Sequence, residues 1–149
     1  MGQQAFPWIV PSPIAGTVVP PNLGTQPIWV RVGTPTFASF SAAATTNAIV
    51  LFSLPSGALI HGVKQSIVEP FAGLMTYTVS VGDANIANLY SSAFDVTQAA
   101  NSFQLSSDFA GESLASATSI YATALCTGGN LSAATAGSVS IFALLSRVL

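Results

Sequence analysis

Charged residues are scarce in this chain. Of its 149 residues, three are lysine or arginine and five are aspartate or glutamate, which makes 5% charged against roughly 25% in ordinary soluble domains. The formal net charge is −2, and the cations do not cluster along the sequence. Proteins that bind nucleic acids neutralise phosphates with runs or patches of lysine and arginine. We therefore expect no nucleic-acid partner.

The side chains that carry most catalysis and metal binding are scarce as well. There is one histidine, His61, and one cysteine, Cys126. A zinc site needs several ligands drawn from histidine, cysteine and carboxylates, and a hydrolytic triad would have to use the single histidine. The glycines fit none of the spacings that bind phosphates or dinucleotides. The sequence thus predicts a protein that is not an enzyme and that holds no metal or cofactor.

Long uninterrupted apolar runs are also missing, although half of the residues are hydrophobic. A membrane-spanning helix needs about 20 consecutive apolar residues. The charge-free stretch 113–146 is interrupted by TGGN at 127–130 and by many serines and threonines. The N-terminus shows no basic region followed by a compact apolar core, the pattern of a secretory signal. We expect no membrane partner and no export signal.

Prolines, by contrast, are concentrated at the N-terminus, where seven of the nine lie within the first 35 residues. Each proline removes a backbone donor and fixes φ, so this segment favours neither helix nor sheet. Its hydrophobic content is nevertheless high, which is unlike the composition of disordered tails. We predict an extended N-terminal arm over residues 1–35 and a compact domain over residues 36–149.

Alternation with a period of two dominates the predicted compact domain. In LMTYTVSV (74–81), Tyr77 and Val79 share one face, and Thr76 and Thr78 share the other. This is the pattern of a half-buried strand. Because proline and glycine punctuate the chain at 55–57, the apolar segments on either side predict a hairpin.

The predicted elements together indicate an all-β fold. Residues 83–94 fit either a helix or a structured loop. Six to eight strands with little helix predict an antiparallel β-sandwich or jelly roll that follows the proline-rich arm. The predicted strands are 48–54, 58–71, 74–81, 102–106, 117–126 and 138–148.

The last predicted strand is apolar on both faces. In SVSIFALLSRVL (138–149) one face carries Ile141 and Leu145, and the other carries Phe142 and Leu144. A strand on the outside of a monomeric sandwich normally has one polar face. Either this strand is central and covered on both sides, or its second face meets another subunit. Exposed apolar surface on this scale is typical of interaction sites.

Both tryptophans, Trp8 and Trp29, lie in the predicted arm. Tryptophan is enriched among the residues that dominate binding energy at interfaces. Either the arm folds back so that the tryptophans cover the core of its own domain, or they contact a partner; an arm of about 30 residues at about 3.1 Å each is long enough to reach one. We favour the partner. The predicted partner-binding residues are Trp8, Ile9, Val10, Val18, Val19, Ile28, Trp29, Phe142 and Leu144.

Three segments resemble small β-sandwich virion proteins of tailed bacteriophages, namely head decoration or cement proteins and related fibre modules. They are LPSGALIHGVKQSIVEPFAG (54–73), YTVSVGDA (77–84) and GSVSIFALLSRVL (137–149), within a similarity that covers residues 46–149. The resemblance implies a noncatalytic virion protein that forms symmetric homo-oligomers, often trimers, and binds the major capsid protein, with the arm tying one subunit to the next. The alternative is a receptor- or glycan-binding head of a phage fibre or tail tip.

Overall fold

A computed structural model describes residues 26–106 and 114–147 of the chain. Within these residues the backbone forms eight strands and one short 3₁₀ helix, Leu131–Ala133. No helix in this part of the chain is long and apolar enough to cross a membrane. The strands are β1 (Ile28–Gly33), β2 (Thr46–Leu54), β3 (Ala58–Ala72), β4 (Thr76–Gly82), β5 (Ser91–Asp95), β6 (Phe103–Ser106), β7 (Thr118–Thr127) and β8 (Ala136–Arg147).

The strands form two antiparallel four-stranded sheets. The first sheet has the order β1-β8-β3-β6, and the second has the order β2-β7-β4-β5. Strand β1 pairs with β8, β2 with β7, β3 with β6 and β4 with β5. These nested pairs describe one long hairpin wrapped around a common core, which is the jelly-roll arrangement. The predicted antiparallel β-sandwich is confirmed.

The core lies between the two sheets and is filled by alternate residues of each strand. On β8 the inward residues Val139, Ile141, Ala143 and Leu145 are completely buried. Burying an aliphatic or aromatic side chain of this size stabilises the fold by about 1.5–3 kcal/mol relative to leaving it exposed. The largest fully buried apolar side chains are Phe40, Phe52, Leu54, Ile67, Tyr77, Ile120, Leu131, Ile141 and Leu145.

Each predicted strand overlaps an observed one, from β2 to β4 and from β6 to β8. Strand β1 was not predicted, and its residues 28–33 fall within the range 1–35 that was assigned to the arm. The helix predicted as one option for residues 83–94 is wrong. Residues 83–90 form a loop in which Asp83 Oδ1 accepts hydrogen bonds from two backbone N–H groups, and β5 follows it directly. Such side-chain bonds to nearby backbone compete with helix formation.

A buried glutamine connects the two sheets. The side chain of Gln65, on β3, is fully buried. Its Nε2 donates to the carbonyl oxygen of Val79, 2.9 Å away on β4, and to Ser91 Oγ, 3.0 Å away on β5. Both acceptors belong to the second sheet. Its Oε1 is buried without a hydrogen-bond partner in the described residues. Because the donor group is satisfied only across the sandwich, it favours one relative position of the sheets.

Tyr77, also in the core, has a hydroxyl that is buried without a hydrogen-bond partner in the described residues. Its ring packs between Phe71 and Phe40, with centroid distances of 4.6 and 6.5 Å. Burial, reinforced by the neighbouring thiol of Cys126, raises the pKa of Tyr77 far above the usual 10.0. The ring therefore contributes packing, whereas the hydroxyl carries an uncompensated desolvation cost.

We predict that Tyr77→Phe raises the free energy of unfolding by about 1 kcal/mol, because it removes an unsatisfied buried hydroxyl and keeps the ring. Denaturant unfolding measures the change, and Tyr121→Phe on the outer side of β7 should lie within about 0.5 kcal/mol of the parent.

The same substitution should weaken the alkaline loss of stability. A phenol whose pKa is raised by folding contributes stability that is complete below its unfolded pKa of about 10 and is lost at higher pH. Tyr77→Phe should therefore flatten the fall in stability above that pH. A destabilised Tyr77→Phe would mean that the hydroxyl has a partner, and an unchanged alkaline limb would mean that folding does not raise the pKa of Tyr77.

Candidate protein-binding face

The outer face of the first sheet carries a continuous group of apolar side chains. We call this surface the apolar face. Trp29, Phe103 and Leu105 are 46%, 60% and 55% exposed, respectively, and Phe142 and Leu144 lie between them, partly covered by these neighbours. The apolar face consists of Trp29 on β1, Phe142 and Leu144 on β8, Phe103 and Leu105 on β6, and the cations Arg31 on β1 and Lys64 on β3.

The strand register explains why these residues meet. Arg31 pairs with Phe142, Phe142 pairs with Lys64, and Lys64 pairs with Leu105. The four residues thus form one row across all four strands, in which a cation alternates with an apolar side chain. Directly paired residues of antiparallel strands point to the same side of the sheet, about 5 Å apart.

Trp29 lies in the adjacent row, where it pairs with Leu144. Its indole extends past Leu144 onto β3, where Gly62 leaves room for it. A Cβ added to Gly62 would lie 3.4 Å from Cη2 of Trp29 and 3.3 Å from the carbonyl oxygen of Ser106. Because glycine presents no side chain here, the indole of Trp29 reaches from β1 across β8 to β3.

Lys64 is held among aromatic rings near the middle of the apolar face. Its Nζ lies 5.0 Å from the ring centroid of Phe103 and 5.9 Å from that of Phe142. Both distances fall within the range of cation–π attraction, worth about 0.5–1 kcal/mol at exposed sites. The two rings therefore orient the ammonium group without neutralising its charge.

The outer face of the second sheet has a different composition. It presents hydroxyl side chains on β4 and β7, and some of these bond to each other across the strands. Thr76 Oγ1 lies 2.6 Å from Thr127 Oγ1, and Thr78 Oγ1 donates to the carbonyl oxygen of Leu125 at 3.4 Å. Leu125 is an exposed aliphatic residue among them. The outer face of the second sheet thus carries more hydroxyl groups, whereas that of the first sheet carries more apolar side chains.

The predicted partner-binding residues fall into three groups. Trp29, Phe142 and Leu144 come together on the apolar face. Ile28 pairs with Leu145, whose side chain is in the core, and it packs against that core on the opposite side of the sheet. The remaining five predicted residues, Trp8, Ile9, Val10, Val18 and Val19, lie outside the described residues.

Sequence reasoning missed four members of the apolar face: Arg31, Lys64, Phe103 and Leu105. One signal was available for Phe103 and Leu105, because FQLS alternates apolar and polar residues and places both on one face of a short strand. No sequence pattern shows that this strand pairs with β3, which brings Leu105 beside Lys64.

His61 and Cys126, the residues considered for catalysis, have the contacts and burial that are typical of structural residues. His61 Nε2 lies 2.6 Å from Oγ of the buried Ser146, and no described carboxylate hydrogen-bonds to the ring. Cys126 is buried, and burial raises the pKa of its thiol. Among the described residues, no group of three His, Cys, Asp or Glu side chains could hold a metal ion.

A cleft lies between the edge strands β5 and β6. This cleft has a volume of about 560 Å³ and is lined mainly by uncharged polar residues. Gln104 Nε2 donates to the carbonyl oxygen of Ser92 at 2.9 Å and to Ser91 Oγ at 3.2 Å. These bonds tie the edge strands of the two sheets together on one wall of the cleft.

The fold is similar to that of two chains from phage capsids. A chain of the cyanophage Pam1 capsid asymmetric unit matches with a TM-score of 0.60 and 24% identity, over 86% of this chain and 91% of that one. A chain of the capsid of Ralstonia phage GP4 matches with a TM-score of 0.60 and 16% identity, over 87% and 89%. No protein-family model and no curated protein matches the chain. These similarities show a shared fold.

We predict that the exposed part of the apolar face contributes little to folding. Replacing both Phe103 and Leu105 by threonine, which keeps β propensity, should change the free energy of unfolding by less than about 1 kcal/mol. By comparison, Ile141→Ala on the inner side of the same sheet should cost about 2–5 kcal/mol. Denaturant unfolding compares the two. A loss from the double variant as large as that from Ile141→Ala would contradict a binding role for the exposed pair.

Proposed function

We propose that this protein is a noncatalytic structural subunit of a phage virion, a capsid decoration or cement protein that binds the capsid shell and neighbouring subunits. The observation that carries the proposal is the apolar face. It lies on the outer side of the first sheet, and no other described segment of the chain covers it. A structural subunit has this kind of surface because its neighbours in the assembly exclude water from it.

The fold supports the choice of assembly. Both similar chains come from phage capsids, and the likeness extends over 86% and 87% of this chain. Jelly rolls occur in capsid proteins, and also in lectins and cupins, so the fold by itself leaves several functions open. The apolar face favours an assembly protein among them.

The N-terminal arm is proposed to tie one subunit to the next or to the shell. Residues 1–25 contain no charged residue, and they include Trp8 and several aliphatic side chains. The chain enters the sandwich at β1, an edge strand of the first sheet, next to the apolar face. An arm that starts at this edge and the apolar face can therefore contact the same neighbour.

The proposed oligomer is symmetric, with a trimer as the expected state. In a cyclic trimer each subunit uses two different surfaces, one for each neighbour. The arm provides one of these surfaces and contacts a different surface of the next subunit, so that the apolar face stays free for the shell. Size-exclusion chromatography with light scattering measures the state of the full chain and of a chain that lacks residues 1–25.

We predict that deletion of residues 1–25 leaves the sandwich folded and abolishes incorporation into particles. The deletion ends before β1, because β1 contributes the buried Val30 and Val32 to the core. The measurement is the amount of protein in gradient-purified particles of the phage that encodes it, quantified by mass spectrometry. The parent chain should be present in stoichiometric amounts. Its absence from the particles, or normal incorporation of the truncated chain, would overturn the proposal.

A glycan-binding head is the second candidate, and the cleft between β5 and β6 favours it. Neutral amides and hydroxyls beside aliphatic and aromatic side chains suit the recognition of sugar hydroxyls. The cleft is lined by Asn88, Leu89, Tyr90, Ser91, Ser92, Gln104, Leu105 and Ser106. A glycan-array signal that Gln104→Ala abolishes, from a chain that is absent from capsid shells, would favour this function over the first.

A further inference from the structure

The apolar face contains two cations whose charge no carboxylate of residues 26–106 and 114–147 balances. Neither Lys64 nor Arg31 forms an ion pair with a described carboxylate. The nearest carboxylate along β3 is Glu69, five positions beyond Lys64, where its Oε1 accepts a hydrogen bond from the backbone N–H of Gly137 at 3.3 Å. Any partner that covers the apolar face therefore also covers positive charge.

Covering these cations without a counter-charge is costly. An ionised group that is removed from water without a partner loses its hydration, which is a large cost. The flanking rings of Phe103 and Phe142 offset only a small part of this cost, since cation–π attraction is weak beside the hydration of an ion. The partner surface must therefore supply a carboxylate as well as apolar contacts.

Two occupants from this chain itself fit poorly. The arm, residues 1–25, has no charged residue that could pair with Lys64. A second copy that binds face to face about a twofold axis would bring like cations together, because such an interface pairs a surface with itself.

The described carboxylates of a second copy are also already engaged in its own structure. Asp83 Oδ1 accepts from the backbone N–H groups of Asn85 and Ile86, each at 2.8 Å. Asp95 Oδ1 accepts from both the backbone N–H and the hydroxyl of Thr97. Among the described carboxylates, the charge pattern therefore favours a different protein.

We propose that the apolar face binds a protein surface on which a carboxylate is flanked by aromatic or aliphatic side chains, with the carboxylate seated between Lys64 and Arg31. Within the proposed function, on which this inference rests, that surface belongs to the capsid shell. The two cations lie on strands separated only by β8, about 10 Å apart at the backbone. One acidic side chain that enters over Phe142 can reach both of them.

The test uses the full chain and a fluorescently labelled random copolymer of glutamate and tyrosine as the probe, with binding followed by anisotropy. Lys64→Gln should weaken binding by about tenfold or more, because it removes the central charge. Thr78→Glu, on the outer face of the second sheet, changes the net charge by the same amount and should stay within about twofold of the parent. Lys64→Arg should retain binding.

Two further probes separate charge from apolar contact. Polyglutamate should bind more weakly than the glutamate–tyrosine copolymer, and a lysine–tyrosine copolymer should not bind. The inference fails if Lys64→Gln and Thr78→Glu weaken binding equally, or if the lysine–tyrosine copolymer binds as tightly. It also fails if the full chain self-associates through the apolar face, shown by a dimer that Lys64→Gln stabilises. Circular dichroism and thermal unfolding verify that each variant is folded.

The inference and the proposed function can fail separately. Particle incorporation that is lost in Phe103→Thr and unchanged in Lys64→Gln would support a shell-binding face and overturn its requirement for an acidic partner. Copolymer binding that depends on Lys64, by a chain that is absent from particles, would support the acidic partner and overturn the virion function.

Discussion

A two-layer sandwich buries one face of each sheet, and the rest of this molecule depends on that limit. The core needs apolar residues on the inner side of every strand, and β8 provides four that are completely buried. The outer side of the first sheet has no layer above it in the described residues. Apolar side chains placed there, such as Phe142 and Leu144, remain available to another molecule. The outer side of the second sheet also has no layer above it in the described residues, and it carries hydroxyl groups instead.

The apolar face is organised by pairing across strands more than by any one strand. Trp29 reaches over Leu144 to Gly62, and Lys64 lies within cation–π distance of rings from β6 and β8. Each of these contacts joins residues that are far apart in the chain. The result is an ordered surface whose side chains are held in position by their neighbours.

Strand β1 links this surface to the segment that precedes it. Residues 28–33 alternate like the other strands, with Val30 and Val32 in the core and Trp29 and Arg31 outside. This alternation is visible in the sequence, but residues 28–33 also lie within the proline-rich range 1–35 that predicts the arm. The high proline content of residues 1–35 favours an arm, and six residues are too few for an alternation with a period of two to stand out against it.

The sequence by itself determined the all-β class, the position of most strands and the two-faced apolar character of the last strand, since alternation is a local property of neighbouring residues. It also indicated Trp29, Phe142 and Leu144 as candidate partner-binding residues. The tertiary structure decided that these three share one face, that Ile28 belongs to the core, and that Lys64 and Leu105 complete the row. Register and strand order are set by packing between distant segments, and a one-residue shift in pairing would have moved these side chains to the other side of the sheet.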